Sequence, residues 1–248
     1  MSINPDVADA IAATGRDLNR RGLLASYEGN ISVRLDAERV LTTPSGVHKG
    51  RLDPGEMVVV DRTGAAVGPG RPSSEIKLHL AIYEERDDVG AVVHAHPPTA
   101  TGYAVAGREL PRAALAETVA MFGCVPVAPY GTPSTAALAD SVREPIRTFD
   151  VILLANHGAV AVGTDLEQAA ERMAQLEHFA QIALVAHLLG GARSFSAAQV
   201  DEISGLREAA GAGPVPAACY PAADESGNIT LTHEELVGLI ADAVQRIR

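Results

Sequence analysis

Apolar side chains recur at two spacings along the chain, and each spacing predicts one kind of secondary structure. Between residues 5 and 24, Val7, Ile11 and Leu18 repeat as they do on one face of a helix, with Pro5 in the first turn. Further helical patterns cover residues 75–85, 97–106, 165–190 and 197–210. Each of these segments is expected to bury one apolar face.

Short apolar runs predict strands between these helices. The runs NISVRL (30–35), RVLTTP (39–44) and EMVVVD (56–61) follow one another with turn residues between them. Hairpins in series predict that the sheet begins with antiparallel strands. Further strands are predicted at 89–96, 124–129 and 150–156. Together with the helices, the strands predict one compact α/β domain over residues 1–210.

The composition changes after residue 210. Residues 211–230 are rich in Pro, Gly and Ala, which predicts a linker or a draped arm. In residues 231–248, Thr232 is placed as an N-cap with Glu235 three positions later, and apolar residues follow at helical spacing. An amphipathic C-terminal helix is therefore expected.

The amino-acid composition permits a sizeable core and argues against one class of partner. Hydrophobic residues make up 47 % of the chain, although only 4 % are aromatic and tryptophan is absent. The net charge is −11 and no cluster of Lys and Arg occurs, so nucleic acid is not an expected partner. An anionic substrate would need a local device, such as backbone N–H groups or a metal ion.

Two cysteines, Cys124 and Cys219, lie far apart and make no disulfide framework, which fits a reducing compartment better than secretion. The first residues do not resemble a secretory signal, and no apolar run reaches the ~18 residues of a membrane span. A cytoplasmic protein without a membrane partner is expected.

The stretch AVVHAHPP carries two histidines at the end of a predicted strand. Side chains at i and i+2 of a strand point to the same face, so His94 and His96 could both reach one metal ion. The alternative is that both are ordinary surface or core histidines. A catalytic zinc commonly has three protein ligands, which makes His157, at the exit of another apolar strand, the expected third ligand.

Glu75 and His79 lie four residues apart on one face of the helix predicted at 75–85. Glu75 is a fourth candidate ligand, although a carboxylate at a helix N-terminus also interacts favourably with the helix dipole. For His79, a supporting hydrogen bond is favoured over metal ligation. The remaining histidines have no partnering motif and are treated as ordinary: His48, His178, His187 and His233.

Three polar stretches could bind an anion: EGNIS (28–32), TPSG (43–46) and PSSE (72–75). They offer side-chain donors, approachable backbone and the free N–H groups of a helix N-terminus. The residues concerned are Asn30, Ser45, Gly46, Ser73 and Ser74. The alternative is ordinary turn and cap chemistry. No glycine-rich nucleotide-binding loop is present, so nucleotide binding is unsupported.

Taken in order, the motifs GN-ISVR, TPSG, PSSE, VVHAHPP, PVAPYGT and LLANHG resemble those of the class II aldolase/adducin family, within it the L-fuculose-1-phosphate aldolase branch. The resemblance covers about residues 5–190. It implies an α/β fold with three α/β/α layers around a central, largely antiparallel sheet. It also implies a cyclic homotetramer with active sites between subunits and one divalent zinc per subunit.

By this resemblance, His94, His96 and His157 correspond to zinc ligands, and Glu75 corresponds to the acid/base carboxylate, which can also bind zinc when substrate is absent. The five anion-binding candidates correspond to the phosphate site of the family: Asn30, Ser45, Gly46, Ser73 and Ser74. The implied reaction cleaves a ketose 1-phosphate to dihydroxyacetone phosphate and a short aldehyde, with the metal stabilising an enediolate.

Two positions depart from the family pattern on the side that would bind the aldehyde. Glu117 stands where the family aldolase has a catalytic tyrosine, and Pro133 stands where it has a phenylalanine. Glu117 could act on a C4 oxygen or be a solvated interface residue, and Tyr220 could replace a C-terminal tyrosine of the family. The departures imply an aldehyde other than lactaldehyde.

The two departures from the family pattern also leave other reactions open. One alternative is a 5-deoxyribulose or 5-methylthioribulose 1-phosphate aldolase or dehydratase. Another is a decarboxylase or epimerase of sugar phosphates with the same fold. A non-catalytic interaction module, as in adducin, is a third alternative, against which the intact histidine set argues.

Overall fold

The computed structural model describes residues 5–221, in which seven strands and seven α-helices follow one another along the chain. The strands are β1 (Asn30–Arg34), β2 (Arg39–Thr42), β3 (Val58–Asp61), β4 (Ala91–Ala95), β5 (Val127–Ala128), β6 (Val151–Leu154) and β7 (Gly158–Gly163). The helices are α1 (Pro5–Arg20), α2 (Ile76–Glu85), α3 (Pro98–Val105), α4 (Ala116–Phe122), α5 (Ala136–Ile146), α6 (Leu166–Leu188) and α7 (Ala197–Ala209). Three short 3₁₀ helices span Lys49–Arg51, Pro54–Glu56 and Ala217–Cys219.

The strands form one sheet in the order β3–β2–β1–β4–β7–β6–β5. All neighbouring pairs are antiparallel except β5 and β6. The predicted α/β class with a largely antiparallel sheet is confirmed, and so are the antiparallel strands at its start. The strand β4, which carries the histidine pair, lies in the centre of the sheet.

Alternation of side chains along β4 accounts for the layers of the fold. Ala91, Val93 and Ala95 point to one face, where they join a core formed with α1 and α6. Val92 points to the opposite face and joins a core formed with α2 and α5. The sheet is therefore covered on both sides, in three α/β/α layers.

Three elements, α4, α5 and β7, are not predicted by the pattern of apolar residues. The strand β7 reads GAVAVG, and glycine and alanine are poor strand formers. All six residues are buried, because β7 pairs with β4 on one side and β6 on the other. The helix α1 is shorter than predicted. It ends at Arg20, whereas the pattern predicts a helix to residue 24, because Gly22 adopts a φ of +76°.

The two cysteines form a disulfide, which corrects the expectation from the sequence. Cys124 follows α4, and Cys219 lies 95 residues later in the last 3₁₀ helix. Together with Val200 and Val215 they belong to a small separate core cluster. Packing of the segment around Val215 and Cys219 against α4 and α7 brings the cysteines together, so their spacing in the sequence could not reveal the pair.

The structure describes only part of the segment that follows residue 210. Residues 211–221 lie against α4 and α7, with Val215 and Cys219 buried. The remainder of the predicted arm and the helix predicted at 231–248 lie outside the described residues. None of the helices within residues 5–221 combines the length and the apolar character that crossing a membrane requires.

Candidate metal centre and active site

The histidine pair lies where β4 leaves the sheet. His94 is fully buried and shares with Val92 the face that is covered by α2. In the sheet it pairs with Asn30 of β1 and with Val160 of β7. His96 is the first residue after β4 and is partly exposed, and its ring lies 5.0 Å from that of His94 between centroids.

The tight turn between β6 and β7 carries His157. The backbone N–H of His157 donates to the carbonyl of Leu154 at 3.0 Å, and the preceding Asn156 has a φ of +56°, a conformation that asparagine tolerates. Because β7 runs beside β4, this turn places the His157 ring next to the other two. Its centroid lies 4.8 Å from that of His94 and 5.0 Å from that of His96.

Hydrogen bonds to the outer ring nitrogens orient two of the imidazoles. His94 Nδ1 donates to the carbonyl of Ala159 at 2.9 Å, and His96 Nδ1 donates to the Glu28 carboxylate at 3.0 Å. These bonds assign the ring proton to Nδ1 and leave a lone pair on each Nε2. The two Nε2 atoms face each other at 3.2 Å. Two acceptors at this distance need a positive charge beside them.

Glu75, the N-cap residue of α2, directs its carboxylate at the same point. Its Oε2 lies 3.2 Å from His94 Nε2, its Oε1 lies 3.3 Å from His157 Nε2, and Asn30 Nδ2 donates to Oε2 at 2.9 Å. Burial acts to raise the pKa of Glu75, but interactions with His94 and His157 in their protonated forms, together with the hydrogen bond from Asn30, outweigh it and lower the pKa to about 2. The carboxylate is therefore ionised at neutral pH.

Burial also keeps imidazole rings of the cluster neutral. It lowers the pKa of His157 to about 4, and repulsion by His94 and His96 adds to this effect. Burial and the repulsion of His94 likewise lower the pKa of His96, against the attraction of Glu28. Neutral imidazole is the form that binds metal ions.

The residues at this point fit a divalent metal ion. One nitrogen from each of His94, His96 and His157 lies within 4.8 Å of the others. Three imidazoles beside a carboxylate form a donor set typical of catalytic metal sites in proteins. Within residues 5–221, the buried Nδ1 of His157 has no hydrogen-bond partner, which is consistent with a ring oriented by something other than a protein acceptor. A cation would satisfy the converging lone pairs.

His79 supports the site and does not join the cluster, as the sequence analysis favoured. Its ring is fully buried, Nε2 bonds Asn30 Oδ1, and Nδ1 lies 2.6 Å from Ser32 Oγ. The hydroxyl of Tyr83 lies 2.9 Å from the same Oγ. This buried chain of hydrogen bonds orients the Asn30 amide, which in turn holds Glu75.

A cavity of about 130 Å³ opens beside the cluster, and all five predicted anion-binding residues line it: Asn30, Ser45, Gly46, Ser73 and Ser74. Two of their segments pair directly, because Ser45 N–H donates to the Arg71 carbonyl and Ser73 N–H donates to the Thr43 carbonyl. His96, His157 and Glu75 line the same cavity. The three polar stretches therefore converge next to the histidines.

Glu117 and Tyr220 lie away from this cavity in the single chain. Glu117 is exposed in the first turn of α4, and Tyr220 donates from its hydroxyl to Asp201 at 2.7 Å. Neither residue lines the cavity beside the histidines. Pro133, at the other departure from the family pattern, is exposed as well. A role for these residues in catalysis stays a prediction.

Sequence reasoning missed the groups that fix the rings. Glu28, which accepts from His96, immediately precedes the Gly29–Asn30 pair, so its place in the quoted motif EGNIS was the available signal. The carbonyl of Ala159 carries no signal in the sequence at all, because every residue has one. Ser32 and Tyr83 appear as ordinary strand and helix residues until the sheet and α2 are packed.

Comparison with known proteins agrees with this geometry. The family model of the class II aldolase and adducin N-terminal domain matches residues 9–184. The chain belongs to the class II aldolase and adducin family. The 5-methylthioribulose-1-phosphate/5-deoxyribulose-1-phosphate aldolase of Rhodospirillum rubrum is 38 % identical over 168 residues, which are 67 % of this chain and 75 % of that protein.

Two further members of the class II aldolase family differ in their named activities. The 3-oxo-tetronate 4-phosphate decarboxylase of Haemophilus influenzae is 35 % identical over 172 residues, 68 % of this chain and 82 % of that protein. The structure of an L-fuculose 1-phosphate aldolase matches with a TM-score of 0.78 at 30 % identity and covers 84 % of this chain and 98 % of that one. The predicted family, fold and enzyme class, a metal-dependent class II aldolase, are confirmed.

Proposed function

We propose that the protein is a zinc-dependent aldehyde-lyase that cleaves a ketose 1-phosphate to dihydroxyacetone phosphate and a short aldehyde. The observation that carries this proposal is that the three candidate metal-binding histidines lie close to Glu75. Nitrogen atoms of His94, His96 and His157 meet the Glu75 carboxylate at the edge of a cavity rich in neutral hydrogen-bond donors. Such a cavity can hold a phosphate while the reacting carbons lie beside the metal site.

The class of substrate follows from the relatives. Names of similar proteins include L-fuculose 1-phosphate and 5-deoxyribulose 1-phosphate aldolases. These substrates share the phosphate-bearing half and differ in the aldehyde. We therefore propose fuculose 1-phosphate and 5-deoxypentulose 1-phosphates as substrates, with the aldehyde half set by residues outside the cavity.

The residues of this chain have separable parts in the reaction. Zinc held by His94, His96 and His157 would supply a Lewis acid that polarises the substrate carbonyl. The neutral donors of Ser45 and Ser73 would orient the phosphate, which fixes the position of the sugar chain. Histidine rings held by Ala159 and Glu28 keep their orientation throughout, because their outer nitrogens stay bonded.

Glu75 is proposed to handle the proton on C3. In cleavage, the C4 hydroxyl loses its proton, the C3–C4 bond breaks, and its electron pair moves towards the C2 carbonyl oxygen. Glu75, which takes up a proton from solvent for this step, transfers it to C3, where the electron pair forms the new C–H bond of dihydroxyacetone phosphate; in synthesis the ionised Glu75 removes that proton. Its contacts with His94 and His157 support this role, because they hold the carboxylate beside the proposed metal site.

The proton of the C4 hydroxyl needs a second group, which we propose comes from a neighbouring subunit. Glu117 and Tyr220 are the candidates, since both lie away from the cavity of their own chain. The homotetramer implied by the family resemblance would supply them. Exposed apolar side chains at the end of α6 support an oligomer: Leu184, Val185, Leu188 and Leu189. Light scattering after gel filtration measures the oligomeric state. A monomer would contradict the proposal that a neighbouring subunit supplies the second group.

The decisive experiment is product analysis with the metal-loaded protein. We expect release of dihydroxyacetone phosphate from at least one of fuculose 1-phosphate and 5-deoxyribulose 1-phosphate. NMR identifies the products. Glu75→Gln should lower the rate at least about 100-fold, whereas the exposed Glu202→Gln should not change it. Absence of carbon–carbon cleavage with every ketose 1-phosphate would count against the proposal, and a dehydrated or epimerised product would identify the alternatives.

A second candidate function is decarboxylation of a phosphorylated 3-oxo acid. The decarboxylase of Haemophilus influenzae, 35 % identical, favours it. Loss of carbon dioxide and aldol cleavage both leave an electron pair beside a carbonyl, so one metal site can serve both. Carbon dioxide released from a 3-oxo-tetronate 4-phosphate, with no dihydroxyacetone phosphate from the ketoses, would select this function.

A cytoplasmic location is proposed from the sequence alone. The disulfide between Cys124 and Cys219 weighs against a reducing compartment. Thiols trapped by alkylation at the moment of cell lysis can be counted by mass spectrometry. Two alkylated cysteines would support the cytoplasmic proposal, and none would oppose it.

A further inference from the structure

Lys49 is a buried lysine whose position the proposed chemistry leaves unexplained. It begins the first 3₁₀ helix, three residues after Gly46, and only 2 % of its surface is exposed. Its Nζ donates to the carbonyl of Val47 at 2.8 Å and to that of Tyr27 at 3.3 Å. An ammonium has three N–H groups, so one remains available.

The charge of Lys49 has no counter-ion in the part of the chain that the structure describes. No carboxylate of residues 5–221 pairs with Nζ within 4.0 Å. Burial without a charge partner lowers the pKa of Lys49. Burying an ammonium in this way is costly, and an apolar side chain of similar length would fill the same volume at lower cost.

The surroundings of Lys49 point to the missing partner. Lys49 lines the cavity that also contains Ser45, Ser73 and Asn30, and it is the only Lys or Arg among the lining residues of the described chain. Glu75 lines this cavity too, and its carboxylate repels anions. A phosphate monoester brings about −1.5 to −2 charges at neutral pH, which neutral donors alone would not balance.

We propose that Lys49 is the cationic contact for the substrate phosphate. The carbonyls of Tyr27 and Val47 hold its ammonium in place, and the remaining N–H bonds a phosphate oxygen. The cavity then discriminates phosphorylated from unphosphorylated sugars by charge as well as by hydrogen bonding. This inference rests on the proposed function and adds a residue that the sequence motifs do not include.

The chain offers a matched control, because it contains two lysines only, Lys49 and Lys77. Lys77 is exposed on α2 and does not line the cavity. Lys49→Met removes the charge with little change in volume, and Lys77→Met makes the same change at an exposed position. Lys49→Gln keeps a donor for one of the two carbonyls and serves if the methionine variant does not fold.

Binding of inorganic phosphate to the metal-loaded protein, measured by calorimetry, tests the inference. We expect Lys49→Met and Lys49→Gln to weaken phosphate affinity about 10- to 100-fold, since a hydrogen bond to a charged group is lost, and Lys77→Met to leave it unchanged. For a cleaved ketose 1-phosphate, KM should rise by a similar factor while kcat stays within about threefold. A folded Lys49 variant with wild-type phosphate affinity overturns the inference.

NMR of the wild-type protein tests the same contact without any variant. With side-chain-labelled lysine, two signals are expected, and inorganic phosphate should shift that of Lys49 and leave that of Lys77. A Lys49 signal that stays in place at saturating phosphate, or no phosphate binding at all, overturns the inference. Neither result depends on cleavage, so failure of the proposed reaction would be recognised separately from failure at Lys49.

Discussion

The side-chain amide of Asn30 donates from Nδ2 to Oε2 of Glu75 at 2.9 Å and accepts through Oδ1 from His79 Nε2. Because a histidine with a proton on Nε2 must accept at Nδ1, the Ser32 hydroxyl donates to that atom at 2.6 Å. The orientation of the Asn30 amide is thus decided by the tautomer of a buried ring. An amide turned the other way would present an oxygen to the Glu75 carboxylate and repel it.

His79 should make the stability of the protein dependent on pH. Burial, with repulsion from His94, lowers the pKa of His79 from 6.5 to about 3. Between these values the unfolded chain binds a proton that the folded chain does not. The stabilisation is fully present above pH 6.5 and is lost as the pH falls towards 3, by at most about 1.4 kcal/mol per unit.

His79→Gln should therefore show a shallower loss of stability on acidification than the wild type. Urea unfolding between neutral pH and about pH 4.5 measures the difference, which grows as the pH falls. His178→Gln, at an exposed position on α6, is the control. Parallel pH profiles for the wild type and His79→Gln would show that His79 does not carry this linkage.

Removal of a single metal ligand should release the metal without unfolding the sheet. The His157 ring lies on a turn at the sheet edge, so His157→Ala leaves the core clusters intact. We expect bound metal to fall to less than about one tenth per chain and cleavage to fall at least about 100-fold. Metal analysis and kinetics measure this, with His178→Ala as the control. Retention of stoichiometric metal would exclude His157 as a ligand.

Gly158 provides space for the His96 ring. A Cβ at this position would lie 2.5 Å from His96 Cδ2 and 2.7 Å from the Ala95 carbonyl. Gly158→Ala must therefore displace either the ring or β4, and metal affinity should fall about 10- to 100-fold. Metal titration tests this. Gly205→Ala on α7 is the control: the added Cβ would have no atom within 4 Å, and the change should stabilise the protein by about 0.5–1 kcal/mol. Wild-type metal affinity in Gly158→Ala would contradict the steric argument.

Glu177 caps the helix that follows the histidine pair. Its buried carboxylate accepts from the backbone N–H groups of Thr99 and Ala100 at 3.0–3.1 Å. Glu177→Gln removes the charge and one acceptor, so the free energy of unfolding should fall by about 1–3 kcal/mol. Thermal and urea unfolding measure the change. For the exposed Glu202→Gln, the free energy of unfolding should stay within about 0.5 kcal/mol of the wild-type value. An equal effect of both variants would contradict the capping role of Glu177.

The sequence by itself determined six of the seven strands, five of the seven helices and the residue types of the candidate metal ligands. Apolar side chains on both faces of β4 join the two cores, and the alternation of side chains along the strand directs His94 towards α2. These features depend on local spacing, because neighbouring residues decide which face of a strand or helix is apolar. Motif order added the family, and with it the expectation that the polar stretches converge.

Only the tertiary structure decided which groups meet. The Ala159 carbonyl, Glu28 and the Tyr83–Ser32–His79 chain fix the site through contacts between segments that are distant in sequence. The disulfide and the buried Lys49 are of the same kind, since nothing in the local spacing indicates them. The weak strand formers of β7 became a central strand because backbone pairing on both sides outweighs propensity. Such relationships depend on three-dimensional proximity, which local spacing does not encode.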